Sequence, residues 1–234
     1  MRLQTRDLTQ TRRWLSDDER AGLLNVIAAS FNRVAPADYL AKYFDSPGVR
    51  QRKLRLYLDG DALVGYCLLT FTDERAWTII RASAGFLPDY RKGGHTFRYS
   101  IRQSFVAWLR RPWRRTYYAD TMLSPAMYRA TAKHAGIVWP HPDHTAPGDL
   151  FDRLNPDGHV AEENGVRCLL RVHRATRYHP RDVAAFRQSD KPEIQHFCTL
   201  NPDFHKGVAL FVIMPLGLRQ FWRSWRKPQR ADDP

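Results

Sequence analysis

Residues 52–73, RKLRLYLDGDALVGYCLLTFTD, read as two strands joined by a tight turn. Leu54, Leu56 and Leu58 alternate with polar or amphipathic residues up to Asp59-Gly60, and a β-rich run resumes at Leu63. Period two with a turn pair between the runs is the signature of a β-hairpin. The following AWTIIRASAGFL adds a third strand. A sheet of this kind has to bury a face, and the segments on either side of it have helical spacing, so the fold class is α+β.

The helical segments begin with SDDERAGLLNVIAASFNRV, where Ser16 is placed to cap, Asp17, Asp18 and Glu19 occupy the first turn, and Leu23, Leu24, Ile27 and Phe31 recur on one face. PADYLAKYF predicts a second, shorter helix. After the third strand, a helix runs from about Thr96 to Leu109 and stops near Pro112; RTYYADTM is a further strand. SPAMYRATAKHAG is the next helix, with Ser124 at the cap, Pro125 in the first turn and Gly136 at its end. Strand, helix and strand in succession favour a locally parallel pair. Further on, LFDRLNP and PRDVAAFRQ read as short helices, GVRCLLRVHRA and GVALFVIMP as strands, and LRQFWRSWRK as a basic, Trp-rich terminal helix.

The composition, 43% hydrophobic and 26% charged, is that of a globular chain, and its net charge of +13 attracts anions: nucleic acid, acidic lipid headgroups or a phosphorylated cofactor. Cys67, Cys168 and Cys198 are widely spaced among apolar neighbours and read as reduced packing residues, not as a disulfide framework or zinc site. MRLQTRDLTQTRRWL has no apolar signal core, and VALFVIMPLGL is interrupted by Pro215 and is far short of the ~20 residues that span a bilayer. A soluble cytoplasmic protein is expected.

The stretch DYRKGGHTFRYSI places an arginine, a lysine and two glycines at the foot of a helix. Unpaired N–H groups and the positive end of the macrodipole make such a terminus an anion site once glycines let a phosphate approach. The loop is neither the GxxxxGK[ST] of nucleotide hydrolases nor GxGxxG.

The order helix, helix, three strands, glycine loop, helix, strand, helix, over about residues 10 to 140, resembles the GNAT acetyltransferase superfamily, whose loop motif is Q/R-x-x-G-x-G/A. Arg91, Gly94 and Thr96 stand at the motif positions, with Lys92, Gly93 and His95 between them; Thr96 departs from the small residue usual in the last place. The resemblance implies a GNAT-like mixed, mainly antiparallel central sheet flanked by helices. It further implies an acyltransferase that moves an acyl group from acetyl-CoA or another acyl-CoA to an amine acceptor by direct transfer, without metal. The pyrophosphate would sit on the amides of Lys92 to Thr96, and the pantetheine arm would lie along the end of the third strand at Phe86 and Leu87. Arg98, Arg102, Arg110 and Arg111 are candidates to face the nucleotide 3′-phosphate. Tyr128, four residues after Ser124, would protonate the departing thiolate.

An amine acceptor needs a base, for which Asp73, Glu74, Asp120, His141 and His144 are all candidates without decisive spacing. The histidines of HPDH lack the further regularly spaced ligands of a metal site. The expected organisation is a GNAT-like domain over residues 1–175 and a C-terminal extension over 176–234, packed on the core. In its terminal helix Leu218, Phe221, Trp222 and Trp225 form an apolar stripe beside Arg219, Arg223, Arg226, Lys227 and Arg230. Residues 218–230 would suit the surface of an acidic membrane, with nucleic acid the weaker partner. The rival reading is a noncatalytic basic anion-binding module.

Overall fold

The computed structural model describes residues 3–32, 34–90, 95–172 and 178–226. They belong to two units, Met1–Arg115 and Thr116–Pro234. Both are α+β, with antiparallel strands flanked by helices.

The hairpin organises the first unit. Strands β2 (Gln51–Asp59) and β3 (Ala62–Glu74) pair antiparallel and turn at Gly60, whose φ of +59° is one that glycine adopts without strain. The third expected strand, β4 (Trp77–Phe86), pairs antiparallel with β3. On the other side of β2 lies a strand that sequence analysis does not provide. This is β1 (Gln4–Thr9), of which only Leu8 is buried, so it forms by backbone pairing along the edge and carries no apolar pattern.

Period two sorts the strand residues onto two faces. Leu54, Leu56, Tyr66 and Leu68 meet Leu23, Val26 and Ile27 of α1 (Asp17–Ser30) and Tyr39 and Leu40 of α2 (Pro36–Leu40) in a continuous core. Full burial contributes roughly 1.5–3 kcal/mol for each such large apolar side chain. A single π-helical turn, Ala41–Asp45, follows α2 and adds Phe44 to that core. Helix α1 starts where the sequence predicts: Ser16 Oγ accepts from the Glu19 N–H and the Glu19 carboxylate accepts from the Ser16 N–H at 2.9 Å. Glu19 also takes hydrogen bonds from Arg6 and Arg13, at 3.1 and 3.4 Å.

The opposite face carries the residues between the leucines. Lys53 Nζ donates to Gln103 of α3 (His95–Arg110) at 2.6 Å. The Arg55 guanidinium lies 4.3 Å from the centre of the Tyr99 ring and donates to Asp7 at 2.6 Å. Alternating leucine and base in β2 therefore reflects burial on both sides: an aliphatic core on one, and long stems beneath α3 on the other.

In the second unit β5 (Arg115–Met122), β7 (Val208–Leu216) and β6 (Leu169–Arg171) lie in that order, β7 antiparallel to both neighbours. Of the strand expected over 165–175, the described residues form Leu169–Arg171, and 173–175 lie outside the described residues. The middle strand comes from the segment read as a C-terminal extension, so residues after 175 build the centre of this unit's sheet. Its run Val208–Met214 is buried throughout. Helix α4 (Pro125–His134) is capped by Ser124, whose Oγ accepts from the Met127 N–H at 3.1 Å. The short helices α5 (Gly148–Leu154) and α6 (Pro180–Arg187) match expectation, and α8 (Leu218–Arg226) closes the described chain. Helix α7 (Pro192–Leu200) is an addition; it packs on α4, with the Phe197 ring 5.8 Å from that of Tyr128. All three cysteines are free. Among the described residues no helix is long and apolar enough to cross a membrane.

Candidate functional site

Strand β4 ends at Phe86, and three interactions fix the chain as it leaves the sheet. The Phe86 carbonyl accepts from Ser30 Oγ of α1 at 3.1 Å, the Leu87 N–H donates to the Val64 carbonyl at 2.9 Å, and the Tyr90 hydroxyl donates to Asp59 at 2.7 Å. Between the last two, Pro88–Tyr90 form one 3-10 turn. The Phe86 ring stacks at a tilt on Tyr57, 5.0 Å between centres, and lies over Gly65, where any Cβ would run into it. None of these anchors carries a motif; each needs a partner dozens of residues away.

Arg91, Lys92, Gly93 and Gly94 lie outside the described residues, as does the His95 side chain. Of the predicted CoA-binding residues, Phe86, Leu87 and Thr96 are therefore seen in full, together with the backbone of His95 at the start of α3. The first turn of α3 contains no acid, and Arg98 and Arg102 are exposed. Arg111 is already committed to Asp73, at 2.7 Å, and Arg110 bears on the buried Lys53. Burial, with the charges of Arg110 and Arg50, pulls the Lys53 ammonium below its usual range. The α3 side of this unit is thus electropositive, as an anion site requires.

The candidate bases fall into different settings. Asp73 accepts from Thr78 at 2.9 Å, from Arg111 at 2.7 Å and from Arg50 at 3.0 Å. Burial opposes its charge, but the Thr78 hydrogen bond and the surrounding arginines hold its carboxyl below the usual carboxylate range. So paired, it anchors the end of the sheet. Asp120, buried on β5, accepts from the Thr121 N–H at 2.8 Å. The His141 and His144 rings lie 5.3 Å apart, and His144 Nε2 is 3.2 Å from the Gly136 carbonyl. Nearby, burial and the His141 charge push the His196 imidazole down to about 4. Among the described residues no three His, Cys, Asp or Glu side chains form a metal set.

Tyr128 has no exposed surface, and its hydroxyl donates to the Pro140 carbonyl at 2.8 Å. Burial, with Glu193 a smaller influence, pushes its phenol well above the ordinary tyrosine value. The role of acid to a departing thiolate, implied by resemblance, calls for a hydroxyl that a ligand can reach; in this structure the hydroxyl donates to a buried carbonyl. In this structure Tyr128 ties α4 to the segment after it. Sequence had no means of seeing this, because the partner is a backbone oxygen beyond the helix.

No protein-family model matches the chain, and no curated protein matches it significantly. Among solved structures it is similar to Escherichia coli ElaA, at 16% identity and a TM-score of 0.38 over 55% of this chain and 85% of that one. It is also similar to a GNAT-family acetyltransferase from Elizabethkingia anophelis with acetyl-CoA bound, at 10% identity and a TM-score of 0.38 over 91% and 98% of the two chains. A Bacillus subtilis acetyltransferase in complex with CoA matches at 12% identity and a TM-score of 0.37 over 92% and 99%. At such scores and identities these likenesses decide neither activity nor substrate. In the order of its own elements, with two helices, three antiparallel strands, the helix after the glycine loop, a strand and a Ser-capped helix, the chain resembles the GNAT acyltransferase fold.

Proposed function

We propose that this protein is an acyl-CoA-dependent N-acyltransferase. The observation that carries the reading is the passage from β4 into α3: a strand end held at Ser30, Val64 and Asp59 leads through Arg91-Lys92-Gly93-Gly94 to a helix whose first turn has no acid. A pyrophosphate at that point would accept from the amides of Lys92 to Thr96, with the α3 dipole and the exposed Arg98 and Arg102 adding attraction. Phe86 and Leu87 would flank the pantetheine arm. Their backbone groups named above are engaged on the β3 and α1 sides, which keeps that strand end rigid.

In the reaction a neutral amine attacks the thioester carbonyl carbon, forming the C–N bond. Collapse of the tetrahedral intermediate breaks the C–S bond and leaves the electron pair on the CoA sulfur. The amine nitrogen loses one proton and the sulfur gains one. We assign this exchange to water and give Tyr128 no chemical step, because of its bond to Pro140.

Calorimetric titration of the full chain with CoA and acetyl-CoA tests the reading. Saturable binding is expected, together with thermal stabilisation by RT ln(1 + [L]/Kd), about 2.7 kcal/mol at a hundredfold excess over Kd. Pantetheine, which lacks the pyrophosphate, should bind far more weakly. Absence of saturable binding to both CoA species would overturn the proposal.

A further inference from the structure

In helix α8 two polar side chains are turned to the protein, while Leu218 and Trp222 are exposed. Gln220, almost fully buried, accepts from the Ile137 N–H at 2.7 Å and donates to the Ile137 carbonyl at 3.0 Å. One turn on, Ser224 Oγ accepts from the Gly136 N–H at 2.8 Å. Gly136 admits this approach: a Cβ there would lie 2.5 Å from Arg223 Cβ and 2.6 Å from the Ser224 nitrogen. Polar side chains at i and i+4 thus hold the helix to its own unit. Its apolar residues at i and i+4 on the other side face outward, Leu218 being 74% exposed and Trp222 51% exposed. Arg219 and Phe221 lie beside them along the same open surface of the helix. Arg219 and Arg226 are exposed on this face, the Arg226 guanidinium stands 4.2 Å from the centre of the Trp222 ring, and the helix contains no acid.

We propose that the outward face of α8 docks on an anionic lipid surface. A helix normally gains its stability by burying the apolar stripe and leaving amide and hydroxyl side chains to water. Here the bonds to residues 136 and 137 hold the helix by its polar side chains, and Leu218 and Trp222 keep half or more of their surface exposed. Leu218 and the Trp222 ring suit the boundary between headgroups and acyl chains, while Arg219 and Arg226 pair with anionic headgroups. Nucleic acid would satisfy the arginines but give Leu218 little. A second copy of this chain would bring the same arginines against each other on a molecule whose net charge is +13. The proposal is separate from acyl-CoA binding, which it neither needs nor alters.

The test is sedimentation of the full chain with phosphatidylserine-containing vesicles and with pure phosphatidylcholine vesicles, at low and high salt. Binding to the anionic vesicles, weakened by salt, is expected. Trp222→Ser with Leu218→Ser should lower vesicle partitioning about tenfold or more while leaving the melting temperature and CoA affinity unchanged. Arg219→Gln with Arg226→Gln should lower it on anionic vesicles alone, and gives a second reading if the apolar pair perturbs folding. No binding to anionic vesicles, or binding by both double variants equal to that of the wild type, overturns the inference. So does tight binding of an RNA or DNA oligonucleotide, or self-association in sedimentation velocity, if it is lost in Trp222→Ser while vesicles are ignored.

Discussion

Tyr128→Phe separates packing from chemistry more cleanly than any other single change. The ring stays, and with it the contacts at 5.8 Å to Phe197 and 6.1 Å to His196; only the 2.8 Å hydrogen bond to Pro140 is lost. The Pro140 carbonyl is left buried without that donor. An unmatched buried acceptor costs about 1–3 kcal/mol. For a chain of this size about 1 kcal/mol corresponds to roughly 2–4 °C in melting temperature, so a fall of about 2–12 °C is expected by calorimetry or circular dichroism. Acetyl-CoA affinity and turnover below the melting range should change less than about threefold, a change of under 1 kcal/mol in activation free energy. The contrary result is equally sharp. An unchanged melting temperature with kcat lowered by about 10²-fold or more, the scale for loss of a general acid, would refute the packing role and return the tyrosine to the reaction.

Other positions give independent tests. Gly94→Asp places a carboxylate in the basic loop before α3 and should weaken CoA binding at least tenfold by calorimetry, with little loss of stability. Gly136→Ala inserts a Cβ 2.5 Å from Arg223 Cβ and should cost about 1–3 kcal/mol in denaturant unfolding of the full chain. Ser16→Ala removes one half of the capping box at α1 and should cost about 1 kcal/mol by the same measurement. Burial opposes the charge on Glu19, but the Ser16 N–H and the two arginines hold its carboxyl below the ordinary 4.5. Because the folded value is the lower one, Glu19 contributes stability that is present above pH 4.5 and lost as pH falls below it. The stability difference between wild type and Glu19→Gln should therefore shrink on acidification through that range.

The signals legible in the sequence are those whose energy is local. A serine followed three residues later by glutamate starts α1, Asp59-Gly60 turns the hairpin, and Ser124-Pro125 starts α4, because caps and turns satisfy neighbouring backbone groups wherever the segment sits. Strand β5 was equally clear between Pro112 and Ser124. The basic glycine loop was visible too, as a run of residue types that leaves an anion room to approach backbone. Long-range matters were not visible. β1 has one buried residue and exists because β2 offers an edge; α7 is short and ties α4 from more than fifty residues away; and β7 becomes the middle strand by pairing with β5 and β6.

Gly136 shows the division most plainly. The sequence reads it as the end of a helix, yet its φ is not among the positive ones; the tertiary structure needs a missing Cβ there because α8 passes over it. Tyr128 reads as a reactive phenol by position along α4, and only the chain after the helix supplies the carbonyl that accepts its hydrogen bond. The sequence of α8 likewise shows a stripe of aromatics beside arginines, but not which side faces in. That was decided by Gln220 and Ser224 meeting three backbone groups of Gly136 and Ile137 some 80 residues earlier, with Leu218 and Trp222 left exposed. Periodicity states that a helix has two faces; which of them is buried depends on partners brought together only by folding.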